Sequence, residues 1–201
     1  MDSTYMTNPV IFLIDTLISL YVLAILLRFL LQWVNADFYN PYIQLLVKIT
    51  HPPLKHMRRI IPSVGRADTS CIILALTIQM SSNYAILMLK GVSLSITALF
   101  LLTISQLVST FLNIFVFAIF ARAILSWFSQ GYSNPAATLL YSLTEPLLRI
   151  CRRMIPVVSG IDLSPLIAII ALQLAKMLIL PPITVAQPAF FKATRCLHLY
   201  P

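Results

Sequence analysis

NPYIQLLVKITHPPLKHMRRIIP, residues 40–62, returns as NPAATLLYSLTEPLLRICRRMIP at residues 134–156, displaced by 94 positions with no insertion or deletion. The correspondence runs outward to residues 28–80 against 122–174, from Arg28/Arg122 through Gln79/Gln173, and 19 of these 53 positions are identical. Among the identities are Trp33/Trp127, Asn40/Asn134, Thr50/Thr144, Pro52/Pro146, Asp68/Asp162 and Ser70/Ser164. A constant offset over this length identifies an internal duplication, two copies of one structural unit in tandem.

Composition decides the environment of that unit. The chain is 59% hydrophobic and 10% charged, where a soluble domain carries about 25% charged residues. It reads as an integral membrane protein. The formal net charge of +8 is concentrated between hydrophobic runs, which points to anionic lipid headgroups and away from nucleic acid. Cys71, Cys151 and Cys196 show no CxxC spacing and form no disulfide or metal framework in this reading.

Four apolar runs are expected to cross the bilayer. The first, about Pro9 to Trp33, is about 37 Å long as a helix and exceeds a hydrocarbon core of about 30 Å. It is preceded by Asp2 and no basic residue and followed by no small-residue cleavage site, so it reads as a span, not a cleaved signal peptide. The second is about Cys71 to Leu89, with Ser70 as a helix N-cap. Val92 to Phe128 is too long for one ordinary span, and the offset of 94 divides it. The third span becomes about Thr103 to Trp127, with residues 92–102 an interfacial connector or helical extension. The fourth is about Ser164 to Leu180, ended by Pro181 and Pro182. The expected fold is an all-α membrane protein of four transmembrane helices, arranged as two parallel tandem repeats. Repeat 1 covers residues 1–91, repeat 2 covers 103–180, and a tail covers 181–201.

The segments joining the two spans of each copy are too charged to cross. In one, Leu54, Met57 and Ile61 fall on one helical face and Lys55, Arg58 and Arg59 on another; in the other, Leu148, Cys151 and Ile155 oppose Arg149, Arg152 and Arg153. Each is expected to lie in the interface as an amphipathic segment, divided in two by Pro52 or Pro146. The two segments hold eight Lys and Arg, against Lys90, Lys192 and Arg195 on the opposite side. This bias places the basic loops in the cytoplasm and both termini outside.

Within the apolar runs, Arg28 and Arg122 either snorkel to headgroups beside Trp33 and Trp127 or turn inward to a carboxylate or carbonyl. Asp68 and Asp162 are their symmetric candidate partners. Gln79 and Gln173 sit near the middle of spans two and four and are expected to bond neighbouring helices. Asp15 has Ser109 as its counterpart, so the membrane holds no symmetric carboxylate pair. His51 and His56 are replaced by Glu145 and Ile150 in the second copy, which argues against a symmetric haem or metal site. No cofactor is expected. No Ser/His/Asp, Cys/His, HExxH or phosphate-loop pattern occurs, and an enzyme is not expected.

These residues resemble a known family: a span ending in Arg and Trp, then NP, then THPPLKHMRRIIP or TEPLLRICRRMIP, then Asp, Ser and a second span with Gln. The chain is similar to the YggT family of small bacterial inner-membrane proteins, related to YlmG proteins of Gram-positive bacteria and plastids, in its two-copy proteobacterial form. The first copy departs from the usual TEP, having His51 and Pro53 where the second has Glu145 and Leu147. The resemblance implies a non-enzymatic membrane factor, with roles among members in osmotic stress tolerance and potassium uptake, in cell division and membrane organisation, and in haem-cofactor assembly of cytochrome b6. The expected function is membrane-associated assembly or osmotic stress tolerance through the basic loops; the alternative is a small transporter or channel component for an ion or osmolyte. The candidate partners are anionic lipid headgroups, a membrane protein complex and further copies of the chain.

Overall fold

The computed structural model describes residues 4–59, 68–92, 94–128, 135–154 and 163–185. Among them the chain is all-helical: α1 Thr4–Trp33, α2 Pro41–Arg58, α3 Thr69–Leu89, α4 Ile96–Phe128, α5 Pro135–Met154 and α6 Ser164–Val185. Three helical segments, Pro9–Trp33, Thr69–Leu89 and Ile96–Ser126, are long and apolar enough to cross a membrane, and Ser164–Leu180 is a shorter apolar helix.

Helix ends follow local chemistry. Asn35 takes φ 53° just past α1, Ala36 N–H donates to Leu31 O at 2.9 Å and Asn35 N–H to Gln32 O at 3.2 Å. These two bonds close a Schellman turn, and asparagine tolerates its left-handed position. The same pattern ends α3, with Gly91 at φ 67°, Val92 N–H on Leu87 O and Gly91 N–H on Met88 O. At the start of α2, Asn40 Oδ1 accepts from Tyr42 N–H at 3.0 Å and Pro41 occupies the first helical position, where no amide proton is needed.

Several expectations are corrected. Pro52 and Pro146 do not divide the inter-span segments: α2 runs through Pro52 and Pro53, and α5 through Pro146. Each proline removes one intrahelical bond, but Thr50, Leu54, Thr144 and Leu148 are fully buried around it, so tertiary packing holds the helix across the gap. Pro181 and Pro182 likewise do not end α6, which continues to Val185. Of the two readings of residues 92–102, the helical extension holds from Ile96, where α4 begins. Asp68, not Ser70, is the N-cap position of α3, and its side chain makes no capping bond, its Oδ2 being held by Arg58.

The apolar helices pair within each copy, α1 on α3 and α4 on α6, while α3 and α1 both touch α4 across the repeat boundary. The core joins Val22, Ile25, Leu26 and Leu30 of α1 to Leu74 and Ala75 of α3, Ile114, Phe115 and Ala118 of α4, Leu54 of α2 and Leu143 of α5. Repeat-related residues share the same fate, Ile25 with Ile119 and Leu54 with Leu148 all being fully buried. The two short helices meet where they begin: Asn40 Nδ2 donates to Pro135 O at 2.7 Å, beside a cluster of Leu31, Ala36 and Ile43 with Leu139. Thus α2 and α5 lie at the same end of the bundle.

Candidate functional site

Arg28 and Arg122 are 6% and 8% exposed, so neither side chain reaches outward to headgroups. Arg28 Nη1 donates to Thr50 Oγ1 at 2.7 Å and to Val47 O at 3.3 Å. Arg122 Nη1 donates to Thr144 Oγ1 at 2.8 Å. In both copies the threonine hydroxyl donates in turn to the carbonyl four residues back, Leu46 O or Leu140 O, at 2.7 Å. Each hydroxyl therefore accepts from a guanidinium on one helix while remaining tied to its own. The result is a repeated latch from the first long helix of each copy to the short basic helix beneath it. The expected Arg28–Asp68 pair does not form.

The copies differ in how the charge is balanced. Arg122 Nη2 donates to Glu145 Oε2 at 3.0 Å, its guanidinium carbon lies 4.3 Å from the Tyr141 ring centre, and Glu145 also faces Arg152 at 3.5 Å. In the first copy His51 replaces Glu145, and Arg28 has a hydroxyl and a carbonyl as its hydrogen-bond acceptors. The buried Asp68 carboxylate instead takes Arg58, whose Nε donates to Oδ2 at 2.9 Å with Nη2 on the same oxygen. Asp162 lies outside the described residues. Of the six basic residues expected at the surface, Arg58 and Arg152 are thus engaged by carboxylates, while Lys55, Arg59, Arg149 and Arg153 are exposed.

A second polar group lies between α3 and α4. Gln79 Nε2 donates to Gln106 Oε1 at 3.1 Å. Asn83 Nδ2 reaches Gln106 Oε1 at 2.8 Å and Thr103 Oγ1 at 3.1 Å, and Thr103 donates to Leu99 O. Gln79 does bond a neighbouring helix, but Gln173 is exposed on α6 and the symmetric expectation fails there. At the position corresponding to Asn83 the second copy has Met177. Sequence reasoning missed Asn83 and Gln106, although Asn83 follows Gln79 by four residues and so shares its helical face.

Lys176 was also missed, because it lies inside the fourth apolar run and not in a loop. Its Nζ donates to Asn113 Oδ1 at 2.9 Å. Asn113 lines a groove of about 770 Å³ between α1 and α4 together with Asp15, Thr16, Ser19 and Thr110. A smaller slot of about 480 Å³ beneath α5 is lined by apolar side chains from α1, α4, α5 and α6, among them Trp33, Phe111, Phe115 and Leu172. Arg28, Arg122, Gln79 and Gln173 line neither cavity.

Comparison with known proteins agrees with this two-unit organisation. The CCB3/YggT family matches the chain twice, over residues 7–89 and 101–183. An uncharacterised Pseudomonas aeruginosa protein is 43% identical over 177 residues, 87% of this chain and 90% of the relative. A Vibrio alginolyticus protein is 41% identical over 173 residues, 85% and 93% of the two chains. The uncharacterised YggT protein of Escherichia coli K12 is 36% identical over 170 residues, 85% and 88%. No solved structure matches. Twice-matched along most of its length and built of apolar helices, the chain belongs to the CCB3/YggT family in its two-repeat form.

Proposed function

We propose that this protein is a four-span, non-enzymatic factor of the bacterial inner membrane, which acts in membrane-associated assembly or osmotic stress tolerance through α2 and α5 as amphipathic basic helices on the cytoplasmic surface. One observation carries the reading. The buried sides of α2 and α5 are latched to the bundle by Arg28–Thr50 and Arg122–Thr144, which leaves Lys55, Arg59, Arg149 and Arg153 exposed. The Asn40–Pro135 bond joins the helices where they start, so the four cations belong to one end of the bundle. Cations so placed gain about 1 kcal/mol each near anionic lipid. The positive-inside bias assigns that end to the cytoplasm, with both termini outside.

Photocrosslinking from probes at Arg59 and Arg153 in the native membrane tests this. Capture of anionic lipid or of a recurrent membrane complex by both probes is the expected result. Capture of neither, with probes elsewhere on the chain productive, overturns it.

The second reading is a small transporter or channel component for an ion such as potassium or for an osmolyte, working as an oligomer. What favours it is the group of polar side chains in the otherwise apolar α1/α4 groove, with Asp15 and Asn113 in it and Lys176 bonded to Asn113, since ionisable groups at membrane depth mark pathways. Gradient-driven flux in liposomes that vanishes on Asp15→Asn supports this reading. Absence of flux under every gradient rejects it.

A further inference from the structure

The slot beneath α5 has a composition and a placement that the latches do not use. Its walls are Phe111, Phe115 and Leu172, its roof is Leu147 and Ile150 of α5, and Trp33 stands at its edge. Phe111 lies eleven residues before Arg122, three turns or about 16 Å of helix. The slot therefore descends from the basic helix to about half the depth of a hydrocarbon core. Ile150 is 60% exposed and Trp33 55% exposed, so it is open to its surroundings at the level of α5.

The cations around this opening are of two kinds. Arg152 faces Glu145. Arg149 and Arg153 are exposed, neither is engaged by another side chain among the described residues, and a spacing of four puts both on one face of α5, one turn apart. That face adjoins the one carrying Pro146, Leu147 and Ile150, which line the slot. An apolar cleft about half a bilayer deep, with two unneutralised guanidinium groups beside its mouth, matches a phospholipid that places one acyl chain below its phosphate.

We propose that the slot is a binding site for an anionic phospholipid, one of its acyl chains between Phe111, Phe115 and Leu172 and its phosphate on Arg149 and Arg153. The inference rests on the reading of α2 and α5 as lipid-facing basic helices and narrows it to one site under α5. At the roof positions Leu147 and Ile150, the first copy has Pro53 and His56. A shorter ring and a polar imidazole make those positions less suited to cover an acyl chain, while Lys55 and Arg59 stand where the second copy has Arg149 and Arg153.

Trp33 supplies a reporter at the mouth. In a Trp127→Phe background it is the one remaining tryptophan, and its emission is read in phosphatidylcholine vesicles containing increasing amounts of phosphatidylglycerol or phosphatidylcholine brominated in the acyl chain. The expected result is half-maximal quenching at a several-fold lower mole fraction of brominated phosphatidylglycerol, each nearby cation being worth about fivefold. Arg149→Gln with Arg153→Gln moves that curve onto the phosphatidylcholine curve, while Lys55→Gln with Arg59→Gln leaves it in place. If the preference survives the α5 pair and falls with the α2 pair, the slot is refuted and the broader reading stands. If no variant, nor the unmodified protein, distinguishes the two lipids, both are refuted.

Discussion

Arg28 and Thr50, 22 residues apart, are joined by a 2.7 Å bond from a guanidinium to a buried hydroxyl, and Arg122 and Thr144 repeat that bond at 2.8 Å. The second pair has support that the first lacks. Glu145 accepts from Arg122 at 3.0 Å and the Tyr141 ring faces its guanidinium, whereas Arg28 falls back on the Val47 carbonyl at 3.3 Å.

Thr50→Val and Thr144→Val keep the shape of the residue and remove the acceptor. A buried charged donor deprived of its partner costs about 1–3 kcal/mol. The loss in unfolding free energy, measured by denaturant titration in detergent micelles, is expected to be larger for Thr50→Val. An equal loss at both sites would contradict the role assigned to Glu145.

Asp68 is fully buried and its one described ionic partner is Arg58. Arg58→Gln strands that carboxylate, at an expected cost of about 1–3 kcal/mol, reduced from the larger values for wholly buried pairs because Arg58 is half exposed. Arg59→Gln, one residue away and exposed, is expected to shift stability by less than about 0.5 kcal/mol. Thermal denaturation of the two purified variants side by side decides the matter.

Gln106 accepts from both Gln79 and Asn83. With an intramembrane side-chain bond worth about 0.6 kcal/mol on average, Gln106→Leu is expected to destabilise the α3/α4 contact by about 1 kcal/mol. Gln173→Leu, on the exposed face of α6, is expected to be neutral. Steric trapping or detergent-unfolding curves that rank these variants in the opposite order would remove the polar cluster from its structural role.

Gly91 holds φ 67° at the end of α3, and a methyl group there meets no atom within 4 Å. Gly91→Ala therefore tests backbone strain alone, with an expected loss of about 1 kcal/mol. Gly91→Asn, which tolerates the left-handed region as Asn35 does, is expected to recover part of it in the same melting assay.

The all-helical fold and its division into two units were legible because hydrophobic run length and a constant 94-residue offset are one-dimensional properties. The first expected span, Pro9 to Trp33, matches the segment long and apolar enough to cross. The prolines were misread because a rule about one missing amide proton weighs a helix in isolation. Pro52 and Pro146 sit between buried threonine and leucine positions, and packing on α1, α3, α4 and α6 outweighs one lost bond each.

Partner choice was not legible. Symmetry in the sequence pointed Arg28 to Asp68, yet the short helix places Thr50 closer and Arg58 captures the carboxylate. Gln79 and Gln173 are identical residues at equivalent positions, but α3 packs on α4 and has Gln106 and Thr103 opposite it, while Gln173 is exposed. By itself the sequence determined that the chain is a duplicated, helical, membrane-type protein with basic segments between its apolar runs, since composition and period suffice for that. Only the tertiary structure decided which arginine meets which oxygen, which cations remain free and where a cleft opens, because those depend on distances between helices far apart in the chain.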